Sequence, residues 1–372
     1  MRFKQVWPAD FSDPRTTTAD GSFPALYLRR LRNRLTKGHT DVSSAFFVGA
    51  GCSYGTLRGR PSAFPPLARD FGPELTSRVK DWPDRYPQLA KVAAHLGTSL
   101  PEVGLEEVWT CIDYHAKFPG AFTISWEPAG AVVRELKSAL LRLYGRTCDN
   151  EAEKLAVSGT YKLGQIINEI KPGDTLVSFN YDTLAERLVQ KRKIMLLHGS
   201  GSPPEGVVRF AKPHGSASWD LHIHNLGHDL TDGPPAVISL DDYDAKLGTV
   251  DPLLLGAVPI KSELILEVQS CHHVHWVFEV ILCQWRAVAN ALRDVDRLVV
   301  LGYSFPKEDV YGRFFFREAM RGRSKPLRVE YYEVREQRER TARSIVSALP
   351  SELGIQWKDE ISPAPPSAFD CT

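Results

Sequence analysis

A short apolar run that breaks directly into glycines is the feature that most constrains the fold of this chain. The residues AFFV at positions 45–48 are followed at once by GAGCS at positions 49–53. The apolar run is typical of a buried strand, and glycine lets the following turn bring its backbone close to a bound group. A helix that starts there offers unpaired N–H groups and the positive end of its dipole to an anion. The segment predicts a strand–turn–helix unit, and two interpretations stay open: a phosphate-binding turn, or glycines that serve packing alone.

Three segments much further along the chain also place polar residues directly after apolar runs. They are SFNYD at 178–182, PHGS at 213–216 and LGYS at 301–304. Ligands of an open α/β sheet lie beyond the carboxyl ends of its strands, so polar residues there are candidates for a binding site. The structural alternative is that Asn180 and Asp182 cap a helix predicted to begin at Thr183, because Asn and Asp are favoured caps.

Taken in this order, the four segments resemble the signature of the sirtuin superfamily. They are most similar to the bacterial sirtuin-like NAD-consuming domains of anti-phage defence. That signature has a GAGxS loop, an Asn-x-Asp after a strand, a His-Gly-Ser, and a Gly-[Thr/Tyr]-Ser after a late strand. The resemblance spans residues 44–334. Strands alternate with helices over the same region, so the expected fold is α/β, a Rossmann-like doubly wound parallel sheet.

The resemblance implies a role for each candidate residue. Asn180 is expected to place a water molecule near the nicotinamide ribose, Asp182 to bind the nicotinamide carboxamide, and His214 to act as a base on a ribose hydroxyl. NAD is then the substrate. The remaining candidates are expected to contact the dinucleotide: Gly49, Ala50, Gly51, Ser53, Gly302, Ser304 and Glu333.

Two His-Gly-Ser copies compete for the role of the base, at His198 and His214. The family pattern has a hydrophobic residue or a lysine before the motif and an aromatic residue shortly after it. The sequence KPHGSASW at 212–219 fits this pattern, whereas His198 leads into the proline-rich GSPPEG. We therefore assign His214 as the base, with His198 as the alternative. A turn histidine held by backbone hydrogen bonds is the structural alternative for both.

The patterning between the motifs predicts a single domain with an insertion. Helical periodicity without a strong strand separates the first βα unit from the next strand. Residues 217–250, rich in Asp, Gly and His, are expected to form a loop or a partial excursion. The expected parts are an N-terminal arm (1–24), a Rossmann-like core in two pieces (25–73 and 171–361), a helical insertion (74–170) and a C-terminal tail (362–372).

Composition narrows the class of protein. The net charge of +1 provides no general attraction to nucleic acid or to a membrane, so neither is an expected partner. The six cysteines include no CxxC pair, which favours a reducing cytoplasm over a disulfide framework or a zinc ribbon. No apolar run reaches the roughly 18 residues that a membrane span requires. Two histidine groups leave a metal site as an alternative, although no metal is expected: His222, His224, His228, and His272, His273, His275.

The resemblance implies an NAD glycohydrolase that releases nicotinamide and ADP-ribose as the effector of an anti-phage, abortive-infection system. Protein-deacylating sirtuins carry a four-cysteine zinc ribbon between the His-Gly-Ser and the late motif. This chain has only Cys271 and Cys283 there, which disfavours deacylation. An unrestrained NAD hydrolase would drain its host, so we expect control by self-association or by another chain. The resemblance implies a homo-oligomer that docks on a hexameric ATPase of the HerA/FtsK class. The second hypothesis is a subunit that senses NAD or ADP-ribose without turnover.

Overall fold

The chain divides into two compact units, Met1–Val42 and Ser43–Thr372. The computed structural model describes parts of the second unit: residues 43–57, 67–97, 102–117, 129–145, 162–198, 206–220, 236–237, 252–254, 274–306, 309–321, 323, 325–333, 338–348 and 354–359. The predicted N-terminal arm and C-terminal tail lie outside these residues.

The described part of the chain is built around one large parallel sheet and one small antiparallel sheet. The ten strands are β1 (Ser44–Val48), β2 (Thr175–Ser178), β3 (Met195–His198), β4 (Val207–Ala211), β5 (Gly215–Asp220), β6 (Ala236–Val237), β7 (Pro252–Leu254), β8 (Arg297–Leu301), β9 (Arg328–Glu333) and β10 (Gly354–Asp359). The large sheet has seven strands in the order β10-β9-β8-β1-β2-β4-β3. All neighbouring pairs in it are parallel, which confirms the predicted Rossmann-like α/β fold.

Helices connect the strands and cover the sheet. They are α1 (Ala50–Leu57), α2 (Phe71–Arg78), α3 (Trp82–Arg85), α4 (Pro87–His95), α5 (Leu105–Lys117), α6 (Ala129–Leu140), α7 (Lys162–Glu169), α8 (Leu184–Lys191), α9 (Val274–Asp294), α10 (Val310–Arg321) and α11 (Arg338–Ala348). A 3₁₀ turn (Ala68–Asp70) precedes α2, and a π-helical segment (Leu141–Gly145) follows α6. None of the described helices combines the length and apolarity that crossing a bilayer requires.

Strand β1 is apolar throughout because both faces of the sheet are covered. Successive side chains of a strand point to opposite faces. Ala45 and Phe47 pack in one buried cluster with residues of α9 and α10, whereas Phe46 and Val48 pack in another with residues of α7 and α8. All four side chains are at most 1 % exposed. A continuous apolar run is what a central strand of a parallel sheet requires.

The helical insertion follows α1, as the sequence predicts, and has a hydrophobic core of its own. That core is formed by residues of α2, α4, α5, α6 and the π-helical segment. Helix α2 begins at Phe71, before the predicted start of the insertion at 74. It can include Pro73, because proline is tolerated in the first turn of a helix. The last helix of the predicted insertion, α7, packs on the large sheet instead. Tyr181, from the turn after β2, joins the core of the insertion and links it to the sheet edge.

The small sheet departs from the predicted loop over residues 217–250 only at 217–220, which belong to β5, and at 236–237, which form β6; the rest of that stretch lies outside the described residues. Strand β5 pairs antiparallel with β6 on one side and with β7 on the other. Strands β6 and β7 have only two and three residues, too few to show an alternating pattern. Strand β10 was also missed, although it lies within the predicted core.

Candidate active site

The four sequence motifs follow four strands that are neighbours in the sheet. The order β8-β1-β2-β4 places the carboxyl ends of these four strands side by side at one end of the sheet, its carboxyl edge. The glycine turn follows β1, Asn180 and Asp182 follow β2, His214 follows β4, and Gly302 with Ser304 follows β8. The topology therefore brings the predicted motifs together, as expected for a site beyond the carboxyl ends of parallel strands.

A buried polar cluster of Ser53, Asn180 and Asp182 forms the centre of this edge. Asn180 Nδ2 donates a hydrogen bond to Ser53 Oγ at 3.0 Å, and both side chains are close enough to Asp182 to oppose the rise in its pKa. Each of the three is at most 4 % exposed. Asn180 Oδ1 is buried and accepts no hydrogen bond from the described groups. Buried polar atoms normally have a partner, so this oxygen is an acceptor suited to a bound donor.

Asp182 combines its place in the cluster with a structural role. Its Oδ1 accepts a hydrogen bond from the backbone N–H of Leu184, the first residue of α8, at 3.0 Å. Burial raises the pKa of Asp182, although the charge of Lys212 and these hydrogen bonds oppose the rise. The predicted capping alternative is therefore correct for Asp182. It does not hold for Asn180, whose side chain points to Ser53.

The glycines of the turns after β1 and β8 allow two stretches of backbone to touch. Gly49 N donates to Leu301 O at 2.9 Å, and Gly51 N donates to Gly302 O at 3.0 Å. A Cβ on Gly49 would lie 2.5 Å from Gly302 O, and one on Gly302 would lie 2.1 Å from Cys52 N. Packing by itself thus accounts for these glycines, and a phosphate-binding role for the turn stays a prediction.

His214 lies in an aromatic setting and pairs with a buried carboxylate. Its Nε2 is 3.0 Å from Asp309 Oδ2, and its ring meets the rings of Phe179 and Trp285 at centroid distances of 5.4 and 6.0 Å. Burial disfavours the charged imidazole, but the charge and hydrogen bond of Asp309 outweigh it and raise the pKa of His214 above 6.5. The Glu106 carboxylate and the backbone of Phe179 also favour the charged ring and raise its pKa.

Phe179 connects the His214 environment with the polar cluster. Its ring stacks on Tyr303 at 3.8 Å with an interplanar angle of 10°. Phe179 is also the residue directly before Asn180, so the backbone that positions the asparagine carries the ring against which His214 packs. The turns after β2, β4 and β8 therefore form one packed unit.

A buried ion pair lies beneath the cluster, and the sequence interpretation missed it. Lys212 is fully buried, and its Nζ lies 2.7 Å from Glu186 Oε1. The same Nζ donates to the backbone carbonyl of Asp182 at 2.5 Å. Lys212 thus holds the turn that carries Asn180 and Asp182. In the sequence, Lys212 is recognisable only as the lysine that precedes the His-Gly-Ser motif. Its structural role depends on Glu186, its acidic partner in α8.

The other predicted residues are less closely associated with this cluster. Ser304 is exposed, and Ala50 is half-buried at the start of α1. Glu333 ends β9, beyond β8, and His198 ends the edge strand β3, opposite Phe210; neither side chain is among those described. The histidines at 222–228 and 272–273 lie outside the described residues, as does the side chain of His275. Within the described ranges no group of His, Cys, Asp and Glu side chains is arranged to hold a metal ion.

No family model matches the sequence, and no curated protein shows significant similarity to it.

Proposed function

We propose that this protein binds NAD at the carboxyl edge of its sheet and hydrolyses the bond between nicotinamide and ribose. The observation that supports this most is the polar cluster of Ser53, Asn180 and Asp182, in which Asn180 Oδ1 is buried without a partner. A water molecule or a ligand N–H is the kind of donor that this oxygen can accept. The order of the four motifs supports the choice of NAD among nucleotides.

The proposed reaction consumes one water molecule. The glycosidic bond between the pyridinium nitrogen and the ribose carbon breaks, its electron pair leaves with nicotinamide, and water adds to the ribose carbon. The products are nicotinamide, ADP-ribose and a proton. Asn180 would orient the water, Asp182 would accept a hydrogen bond from the carboxamide, and His214 would take a ribose proton. A buried cluster of fixed dipoles suits a transition state in which positive charge develops on the ribose.

Binding without turnover is the second candidate, and a specific observation favours it. His214 Nε2 is engaged by Asp309 Oδ2, so this nitrogen is not free to take a ribose proton in this arrangement. A subunit that senses NAD or ADP-ribose needs the polar cluster and no base. The effector role in anti-phage defence, the cytoplasmic location, the homo-oligomer and the HerA/FtsK-type ATPase partner are further parts of the proposal, supported by the resemblance.

Removing the polar groups of the site is expected to abolish nicotinamide release. General acid–base and water-positioning groups contribute roughly 10²–10⁴-fold, so Asn180→Ala and His214→Ala should each lower the rate by about 100-fold or more. The rate is measured by chromatography of NAD incubated with purified protein, and NAD affinity by calorimetry. His95→Ala, at the exposed end of α4, is the matched control and should retain the rate.

The outcomes separate the candidates. Loss in His198→Ala with full activity in His214→Ala would transfer the role of base to the other His-Gly-Ser copy. NAD binding that depends on Asn180, without nicotinamide release by the wild-type protein, would establish the sensing subunit instead of the hydrolase. An absence of both binding and release would reject an NAD site at this edge of the sheet.

A further inference from the structure

A single buried carboxylate, that of Asp309, contacts both the candidate base and the first turn of α10. Asp309 is 1 % exposed. Its Oδ1 accepts from the backbone N–H of Gly312 at 2.9 Å, which caps the helix. Its Oδ2 accepts from the Tyr303 hydroxyl at 2.7 Å and pairs with His214 Nε2 at 3.0 Å. Capping of the helix uses only Oδ1, so Oδ2 is available to contact His214 and Tyr303.

The local backbone is arranged to bring this carboxylate to His214. A Cβ on Gly312 would lie 2.5 Å from Asp309 Oδ2, so glycine leaves the space that the carboxylate occupies. In the preceding turn, Phe305 has φ of 49°, a left-handed conformation that is costly for a bulky residue. Its ring is fully buried, 4.8 Å from the Tyr303 ring and 5.3 Å from that of Phe316. Packing on both sides holds this turn in place.

The hydrogen-bond partners of His214 determine the protonation state of its ring. A carboxylate can only accept, so the His214 nitrogen that is bonded to Asp309, Nε2, carries a hydrogen. The other ring nitrogen is then the one that can accept a proton from a ribose hydroxyl.

We propose that Asp309 is a positioning residue for His214, which holds the imidazole ring in place and stabilises the imidazolium formed when His214 takes the ribose proton. The ribose O–H bond breaks, an N–H bond forms on the ring, and Asp309 stays ionised throughout. This inference rests on the proposed function. Its consequence is that Asp309 determines the pH above which the base becomes available.

Other ionisable groups also face this pair. Glu106, from α5 of the insertion, acts on the charge of His214, and Tyr181 and Tyr303 are close enough to Asp309 to respond to its charge. Asp309 differs from Glu106 in that it is both charged and hydrogen-bonded to the ring. Its removal is therefore expected to change His214 more than removal of Glu106.

Asp309→Asn is the sharpest test, because Asn caps a helix about as well as Asp while its amide removes both the charge and the second acceptor oxygen that faces His214. The pKa of His214 is measured by NMR titration of histidine-labelled protein without NAD, with the signal assigned through His214→Gln. Loss of a contacting charge is expected to lower that pKa by about 1 unit or more. Nicotinamide release should fall by on the order of 10- to 100-fold in kcat, and the rising limb of its pH profile should move to lower pH by the same shift.

Two variants serve as controls. Gly312→Ala keeps the charge but places a Cβ where the carboxylate lies, so the pKa of His214 should fall in the same direction by a smaller amount. This variant also keeps the test decisive if Asp309→Asn fails to fold. Glu106→Gln should produce a smaller shift than Asp309→Asn.

The results distinguish this inference from the proposed function. An unchanged His214 pKa in Asp309→Asn and Gly312→Ala would overturn the inference whether or not the protein cleaves NAD. A lowered His214 pKa in Asp309→Asn with an unshifted pH profile of nicotinamide release would also overturn it. Asp309 would then affect the imidazole of the free protein without affecting the reaction. If the His214 pKa falls in Asp309→Asn but the wild-type protein releases no nicotinamide, the His214–Asp309 pair is confirmed and the hydrolase is rejected.

Discussion

Replacing Lys212 by methionine is expected to lower the free energy of unfolding by about 3–5 kcal/mol, as removal of one partner from a buried ion pair does. Methionine fills a similar volume but leaves the Glu186 carboxylate without its cation. Glu186 is 5 % exposed, and its second oxygen, Oε2, already has no hydrogen-bond partner among the described groups. The backbone carbonyl of Asp182 would lose its donor as well.

Chemical denaturation of the single and double variants measures this effect. In Lys212→Met/Glu186→Leu the buried charge is gone, so most of the lost stability should return. Arg85→Ala is the matched control, because it breaks an ion pair with Asp81 on an exposed helix surface and should change stability little. A double variant as unstable as the single one would show that Lys212 acts through the Asp182 carbonyl alone.

Lowering the pH should reduce the loss of stability caused by Lys212→Met. Burial raises the pKa of Glu186 above its ordinary 4.5, and the charge of Lys212 opposes that rise. Without Lys212 the folded-state pKa rises further above the unfolded value. A carboxyl group with a raised folded-state pKa costs stability as pH increases through the unfolded value, so the deficit relative to wild type should be larger at pH 7 than at pH 5. Equal deficits at the two pH values would contradict a charged Glu186.

The sequence predicted the large sheet well because its strands are buried on both faces. A run such as AFFV at 45–48 is apolar throughout, and the run at Arg297–Leu301 is similar, so both were found with accurate bounds. Polar residues directly after these strands were then placed at one edge by topology alone. In the small sheet, β6 and β7 were missed because they have only two and three residues, and β7 pairs with β5, which lies much earlier in the chain.

The partners that complete the site were harder to predict. His214 and Asp309 are 95 residues apart, and Lys212 and Glu186 are 26 residues apart. Neither Asp309 nor Glu186 belongs to a motif with a fixed spacing, and each has an ordinary explanation as a helix cap or a helix-surface charge. Only the three-dimensional arrangement shows that both are buried. Sequence patterns identify groups at strand ends, whereas the carboxylates that hold them come from helices elsewhere in the chain.

The glycines in the turns after β1 and β8 can be explained either by close packing of the two turns or by the approach of a ligand. Phosphate approach and loop packing both require a backbone without Cβ atoms, so the sequence alone could not separate them. Gly302 distinguishes the two, because it has φ of 64° and its missing Cβ would collide with the backbone at Cys52. If packing is the main demand, substitution at this position affects folding. If ligand approach is the main demand, the protein folds and only NAD binding changes.

Gly302→Ala is therefore expected to destabilise the fold by about 4 kcal/mol or more, the range in which backbone strain and a steric clash combine. The strain alone is measured by Gly173→Ala, since Gly173 has φ of 94° but nothing within 4 Å of its missing Cβ. That control should lose only about 1–2 kcal/mol. Denaturant unfolding gives both values, and limited proteolysis replaces it if Gly302→Ala does not accumulate as folded protein. Equal losses in the two variants would mean that the turns after β1 and β8 can separate without cost. The glycine turn would then be explained by the approach of a ligand, and reduced NAD affinity in a stable Gly302→Ala protein would show it directly.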